Sequence, residues 1–455
     1  MAFTISDPPL DPAPRHYPPT VSLVRRSARG PAAAPAGITV PQIEQWLLRD
    51  AAREPEMVRL FESFVWRMVA AGLPIDRTTV HVGTLHPQLV GYAWSWLIND
   101  GLCDEVKADD RTDESEGYLR SALYRVIEFG EVVRRRVDDP AAQAEFPLLA
   151  ELAEIGITEY VAMPMNTGGA HHNVMTIATK RPAGFSDAEF GTIRRLLDLF
   201  ALHVERHIAL RVADNALNAY LGTTAAAKVL HGSIKRGIGE PINAVIWVSD
   251  LRGFTELSGR LADADMIALL NAYFECLATP ILRQGGEILK FMGDGLLAVF
   301  PIAPKDSGKA AATAALAAAQ GAMDAIAALN GGGSGPLHAV AGWKPLRTGI
   351  ALHEGEVFFG NIGAPDRLDF TVIGSAVNAA SRVEALQKTL GRSILITEAV
   401  ARHFDDGFDD LGAHALRGVA QPMRIFSPVP RADQAGPLPR TARKTGGRRP
   451  VANLV

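Results

Sequence analysis

AVIWVSDLRGFTEL, residues 244–257, and EILKFMGDGLLAVF, residues 287–300, decide how this chain is read. The first is an apolar run that ends on Asp250 and opens at once into a turn and a helix. The second is two apolar half-strands joined at Asp294–Gly295, a hairpin signal. A carboxylate at a strand end and another at a hairpin tip lie side by side once their strands pair. Two such carboxylates are hard oxygen ligands, the usual way to hold Mg²⁺ against phosphates. Either Asp alone closes a turn and nothing more; the pair, with what surrounds it, points to chemistry.

Outward from that stretch, residues 241–428 read as one domain. A strand (NAVIWVSD) leads to a helix (ADMIALLNAYFECLATPILRQ), the hairpin, and an alanine-rich helix at 310–330. Beyond the loop NGGGSGP come a strand, LRTGIALHEG, and a second hairpin partner, EVFFGNIG. This βαββαβ order makes an α+β, ferredoxin-like domain, an antiparallel sheet with helices on one face. RLDFTVIGSAVNAASRVEALQ then reads as a strand entering a helix, followed by SILITEAV and two short closing strands.

Residues 1–38 hold eight prolines and Arg25, Arg26 and Arg29 with little apolar periodicity, and read as a disordered leader. A separate α/β domain is expected over 40–211. Its first helical stretch, PQIEQWLLRDAAREPEMVRLFESFVWRMVAAG, stops at Gly72. TTVHVGTL, GYAWSWLI, YVAMPMN and HNVMTIATK read as strands, and the charge-dense CDEVKADDRTDESEG as a loop. A capping box at Ser186 and Glu189 starts a long helix toward Tyr220. Its Leu196, Leu199, Phe200, Val204, Ile208, Val212 and Leu217 lie near one face, for packing on the domain or for a parallel coiled coil. Residues 212–240 are read as a linker helix. Residues 429–455, with six basic and one acidic residue from 431 on, read as a disordered basic tail.

At 455 residues, 47% hydrophobic and 21% charged, the chain is long enough for two or three domains with buried cores. A formal net charge of −4 argues against nucleic-acid binding driven by overall charge. Two isolated cysteines, Cys103 and Cys276, exclude a disulfide framework or a structural zinc motif and fit a reducing, cytoplasmic setting. No secretory signal is read at the start. The alanine-rich tract, broken by Gln320, Gly321 and Asp324, reads as a helix packed on a sheet and not as a membrane span.

Four motifs in order, VSDLRGFTEL, EILKFMGDGLLAVF, LRTGIALHEGEVFFGNIG and FTVIGSAVNAASR, resemble a class III nucleotidyl cyclase catalytic domain. The resemblance implies that Asp250 and Asp294 bind two Mg²⁺ or Mn²⁺ ions, with the Leu251 carbonyl completing one shell. Gly253, Phe254 and Thr255 would meet the triphosphate at a helix start. Lys290 matches the base-reading lysine, and Thr371 stands where many adenylate cyclases carry aspartate. A lysine donates to adenine N1 and a threonine hydroxyl accepts from the 6-amino group, so the Lys–Thr pair implies ATP as substrate. Asn378 and Arg382, four apart on one helix face, match the ribose-orienting and α-phosphate residues; outside the motif Arg382 would read as a surface partner of Glu384. Arg417 is a further candidate for phosphate. In this family the metal aspartates of one chain face the base-reading and Asn/Arg residues of another, which implies a homodimer with composite sites. A cyclase fold that binds nucleotide without turnover, and a diguanylate-cyclase-type palm, remain as alternatives. The latter lacks its GGDEF-type run here.

The 40–210 region, with its opening helix, strands and closing FSDAEF helix, resembles a GAF domain, which implies regulation by a small ligand or by dimerisation. Trp46, Trp66, Trp94 and Trp96 are candidates for a ligand pocket, although tryptophans in such a domain usually make core. The His171–His172 pair reads as a hairpin turn.

Overall fold

Alternation in TVSLVRRS, with Leu23 buried, makes Val21–Ser27 a strand (β1) and not part of an unstructured leader. The structure, a computed structural model, describes residues 10–165, 172–332, 344–419 and 421–429. The first nine residues, His171 of the histidine pair, most of the glycine-rich loop and the basic tail beyond Val429 lie outside them. The chain divides into two units between Leu230 and His231.

In the first unit β1 is followed by α1 (Val40–Arg49), α2 (Met57–Ala70), β2 (Arg77–Gly83), β3 (Leu89–Leu97) and β4 (Cys103–Asp109). Then come α3 (Glu116–Leu119), α4 (Ala122–Phe129), β5 (Val133–Arg136), α5 (Pro140–Glu145) and α6 (Leu148–Glu154). The unit closes with β6 (Glu159–Met165), β7 (Asn173–Thr179), α7 (Asp187–Leu221) and α8 (Thr223–Leu230). The strands form an antiparallel sheet ordered β1-β4-β3-β2-β7-β6-β5. α1, α2 and α7 contribute to a core with one set of sheet residues, and α4, α5 and α6 to a second core with another. Trp66 and Trp96 meet edge to face at 5.1 Å in the first core, which also holds Trp94. The Trp46 ring lies under the Arg67 guanidinium.

Three further expectations for this unit are corrected. The opening helix is two helices, because Pro55 has no N–H to give and holds Glu54 out of helical geometry. The charged loop is in its first half β4, paired between β1 and β3. Two of its carboxylates, Asp104 and Glu105, are buried and paired with residues from other elements. Asp104, with no exposed side-chain surface, accepts from Arg26 Nε at 2.6 Å and Tyr17 Oη at 2.8 Å and pairs with Arg15. Glu105 accepts from Trp94 Nε1 and pairs with Arg211. The supposed linker helix is likewise interrupted: α7 runs unbroken to Leu221, Gly222 at φ +78 ends it, and Gly232 and Gly237 also adopt positive φ.

The leader is held for the same electrostatic reason. Glu62 on α2 is fully buried and accepts from Arg29 Nε at 2.7 Å and Ser27 Oγ at 2.6 Å. A buried carboxylate without its cation is unfavourable. Removing residues 1–29 strips Asp104 and Glu62 of their arginines together. The expected loss is at least about 3–5 kcal/mol, read by urea unfolding of the truncated chain. A truncated protein as stable as the full chain would mean these contacts hold nothing.

The second unit opens with β8 (Gly239–Leu251), α9 (Phe254–Ser258), α10 (Asp263–Arg283), β9 (Glu287–Met292), β10 (Gly295–Ile302) and α11 (Lys309–Gly331). It continues with β11 (Thr348–Ala364), β12 (Arg367–Ile373), α12 (Ser375–Leu390), β13 (Ile394–Thr397), α13 (Glu398–Ala401), β14 (Phe408–His414) and β15 (Met423–Pro428). The sheet order is β14-β15-β13-β11-β8-β10-β9, with β12 added to β11. Within it β11-β8-β10-β9 is the expected ferredoxin-like core, antiparallel throughout.

Two details differ from expectation. β11 is one 17-residue strand, not two: it pairs with β8 through Gly355, where the missing side chain admits Ala376 of α12. Its hairpin partner is β12. Helices also cover both faces, with α10 and α11 in one core and α12 in another. The sequence of β8 shows why: Ala244–Val248 is apolar at every position and buried throughout, the pattern of a strand covered on two sides. α10 and α11 are long and apolar enough by composition to cross a membrane, with a mean hydropathy of 1.3. Leu269, Tyr273, Leu277 and Ile281 of α10 and Ile326 of α11 are spent on the core of this unit.

Candidate active site

Asp250 stands one residue before the end of β8, and Gly295 lies opposite it on β10. The β9–β10 turn is Gly293–Asp294, one residue earlier than the sequence placed it. Gly293 takes φ +66, the conformation a tight hairpin asks of its first central residue. Asp294 thereby sits one residue from the partner of Asp250. The two carboxyl groups come within hydrogen-bonding reach. Burial first, and then the charge of Asp250, pushes the Asp294 carboxyl up to about 6. Two carboxylates that close favour holding one proton between them unless a cation takes its place.

On the other side of β8, Gly349 of β11 faces Asp250, and a side chain there would strike the Gln387 amide oxygen 1.5 Å away. Gln387 is buried and donates to the Ile350 carbonyl at 2.6 Å, fixing α12 against the sheet. Arg252 donates to Gln387 and to the Arg392 carbonyl. Thr348 Oγ1 donates to the Asp250 carbonyl at 3.0 Å and shares a hydrogen bond with Tyr273 at 2.8 Å, anchoring the end of β8.

α12 also brings two groups that sequence reasoning did not assign. Glu384 is held above the ordinary glutamate range, first by burial and then by the charge of Asp250. Lys388 opposes this, acting on both Glu384 and Asp294. Their four-residue spacing, just after Arg382, was the available signal. Glu384 therefore faces the aspartates and is not the partner of Arg382. Arg382 and Asn378 are exposed, and neither side chain makes a hydrogen bond or ion pair among the described residues.

Lys290 of β9 donates to Asp369 Oδ2 of β12 at 2.6 Å. Thr371, two residues further on, is 5% exposed, and its hydroxyl has no hydrogen-bond partner among the described residues. Leu251 buries its side chain in the core, so any ligand role falls to its carbonyl. Gly253, at φ +79, caps α9 and so precedes Phe254 and Thr255. Arg417 is exposed in the turn between β14 and β15, at the sheet edge opposite β9. Among the described residues no group of three His, Cys, Asp or Glu forms a metal-binding cluster. A pair of carboxylates short of positive charge does suit Mg²⁺ or Mn²⁺, which takes one or two carboxylates and leaves its other positions to phosphate and water.

The family of adenylate and guanylate cyclase catalytic domains matches residues 240–426. This region is a class III cyclase catalytic domain. The chain is 34% identical over 171 residues to an adenylate cyclase of Anabaena cylindrica, covering 38% of this chain and 32% of that protein. Adenylate cyclase 1 of Rhizobium meliloti is 27% identical over 317 residues, 66% of this chain and 45% of that protein. The chain thus spans less than half the length of these two relatives. Among solved structures, the adenylyl cyclase CyaB from P. aeruginosa is 29% identical and matches 44% of this chain and all of that one, with a TM-score of 0.38. A guanylyl cyclase, Cya2, is 32% identical over 42% of this chain and 93% of that one, with a TM-score of 0.36. At such scores the superpositions carry no argument, and the assignment rests on the family match and the curated relatives.

Proposed function

We propose that the chain is an adenylate cyclase, converting ATP to 3′,5′-cyclic AMP and pyrophosphate at a site shared by two copies. The observation that carries this reading is the meeting of Asp250 and Asp294 at the end of β8 and the tip of β9–β10. Asp250, Asp294 and the Leu251 carbonyl would hold two Mg²⁺ or Mn²⁺ ions, which acidify the ribose 3′-hydroxyl and neutralise the triphosphate when bound. Backbone N–H groups of Gly253, Phe254 and Thr255 receive phosphate oxygens. Asn378 orients the ribose, and the fixed charge and planar fork of Arg382 meet the charge that develops on the α-phosphate. Arg417 is a further phosphate contact.

Helix geometry supports the homodimer. Glu384 faces its own aspartates, and Arg382 lies about 200° round the same helix from Glu384. Arg382 therefore points away from its own pair and serves that of a second chain. Lys290 and Thr371 favour adenine, whose N1 accepts and whose 6-amino group donates; guanine presents the reverse. The first unit, on its GAF-like pattern, is proposed to regulate the cyclase by a small ligand or through dimer geometry.

The test is an assay of the purified chain with ATP and with GTP, with and without Mn²⁺. Metal-dependent cyclic AMP, formed in preference to cyclic GMP, is expected. Preferential cyclic GMP, or no product from either nucleotide, overturns the reading.

A further inference from the structure

Arg252 has no part in the reaction as proposed, yet it holds the end of β8 on which that reaction depends. It follows Leu251 and precedes Gly253, and so stands between the carbonyl offered to metal and the N–H groups offered to phosphate. Its backbone N–H donates to the Arg347 carbonyl at 2.8 Å. Its Nη2 donates to Gln387 Oε1 at 3.3 Å and to the Arg392 carbonyl at 2.6 Å. One acceptor lies on α12 and the other just past its C-terminus, so together they oppose both rolling and sliding of that helix against the loop. Gln387 is buried and tied to the sheet through its amide nitrogen, so the point of attachment is itself fixed. Burial works against the charge of the Arg252 guanidinium, and Glu384 offsets that. A second observation lies on the far side of the same helix. Asn378 and Arg382 stand about 180° and about 140° round α12 from Gln387. Both are exposed. One side of α12 is thus fastened to the loop of its own chain, while the other carries the residues that serve a second chain.

We infer that Arg252 is a positioning residue for both composite sites: it holds the Asp250–Gly253 loop of its own chain and, through α12, the Asn378–Arg382 face offered to the partner chain. This deepens the shared-site cyclase reading and rests on it. Mg²⁺ demands near-octahedral geometry, so the Asp250 carboxylate and the Leu251 carbonyl have to keep their relative placement. Arg382 has to meet the α-phosphate, where a misplacement of about 1 Å costs on the order of 10²-fold in rate. The two duties are separable by measurement. Losing the loop's placement weakens metal binding, whereas losing the placement of α12 slows the chemical step at unchanged metal affinity. Charge alone predicts the opposite sign for metal, because taking a cation from beside Glu384 favours a dication nearby.

The experiment uses full chains. In Arg252→Met homodimers the Mn²⁺ concentration that gives half the maximal gain in melting temperature is expected to rise about tenfold. The Mn²⁺ dependence of cyclic AMP formation should shift with it. Mixing then separates the two duties. An Asp250→Ala chain paired with an Arg382→Ala chain keeps one whole site, whose loop comes from the Arg382→Ala chain and whose α12 comes from the Asp250→Ala chain. Arg252→Met added to the Arg382→Ala chain should raise the Mn²⁺ requirement about tenfold. Added instead to the Asp250→Ala chain, it should lower kcat about tenfold and leave the Mn²⁺ requirement within about twofold. Arg252→Lys keeps the charge on a shorter reach; it should move the same quantities in the same direction by less, and it decides the matter if Arg252→Met does not fold. Metal binding that is unchanged or tighter in Arg252→Met overturns the inference, as does a mixture indifferent to the substitution in the Asp250→Ala chain. A purely structural Arg252 would lower the active fraction equally from either placement at a fixed Mn²⁺ requirement, which overturns it too. An unmodified mixture that dimerises and stays inactive removes the shared-site reading, and this inference with it.

Discussion

Asp250→Ala and Arg382→Ala chains, each inactive alone, should regain cyclic AMP synthesis when mixed. Asp250 is a candidate metal ligand, and Arg382 an exposed cation turned away from the aspartates of its own chain. Each single variant is expected to lose about 10³-fold or more in rate, the scale seen when one oriented charge is taken from a transition state. In a mixed dimer one site takes both aspartates from the Arg382→Ala chain and its arginine from the Asp250→Ala chain, and is whole. The other site is doubly defective. Random exchange makes half the dimers mixed, so about a quarter of the parent rate per chain is expected. The check is the rate as a function of mixing ratio, with exchange between copies confirmed independently. If the mixed dimers form and remain inactive, the shared site is wrong.

The residues in that experiment show what the sequence could and could not reveal. Asp250 and Asp294 were legible because both positions follow local rules: a strand end, and a hairpin tip that needs glycine beside it. Strand order then followed from alternating strands and helices, and pairing brought the acids together. The failures share a different cause. Asp104 and Glu62 have their cations 33 to 89 residues away in sequence, so no local signal pairs them, and the charge density around Asp104 read as solvation. The arginines of the leader were misread for the complementary reason, since a Pro-rich segment shows no partner of its own. Glu384 was read against its neighbour Arg382, when only the packing of α12 on β8 and β11 reveals that it faces the aspartates. The Lys290–Asp369 pair carries no motif at all, being a contact across 79 residues. Local signals placed the elements; pairings between distant polar groups had to be seen.

Divalent metal should stabilise this protein strongly near neutral pH and hardly at all at pH 4. The Asp294 carboxyl titrates at about 6 in the folded chain against an ordinary 3.8, because burial and the charge of Asp250 oppose its ionisation. An unfolded chain therefore releases this proton at lower pH than the folded one. Stability of the metal-free protein falls as pH rises from about 4 to 6, and the penalty is complete above that window. A bound cation relieves it by replacing the shared proton, while protons displace the cation as pH falls through 6. The melting-temperature gain from Mn²⁺ should accordingly be largest at pH 7 and above and should shrink steadily below 6. Asp294→Asn removes the repulsion without changing shape. Metal-free Asp294→Asn is expected to melt about 2–4 °C above the parent at pH 7, the response of a domain this size to roughly 1 kcal/mol. It should converge with the parent near pH 4, where the parent acid is protonated too. The same variant should gain nothing from Mn²⁺ and make no cyclic nucleotide, trading turnover for stability at one atom. Thermal unfolding at fixed ionic strength, with and without metal across this range, reads all of these together. A metal gain that ignores pH, or one that survives Asp294→Asn, would remove these two carboxylates from the metal site.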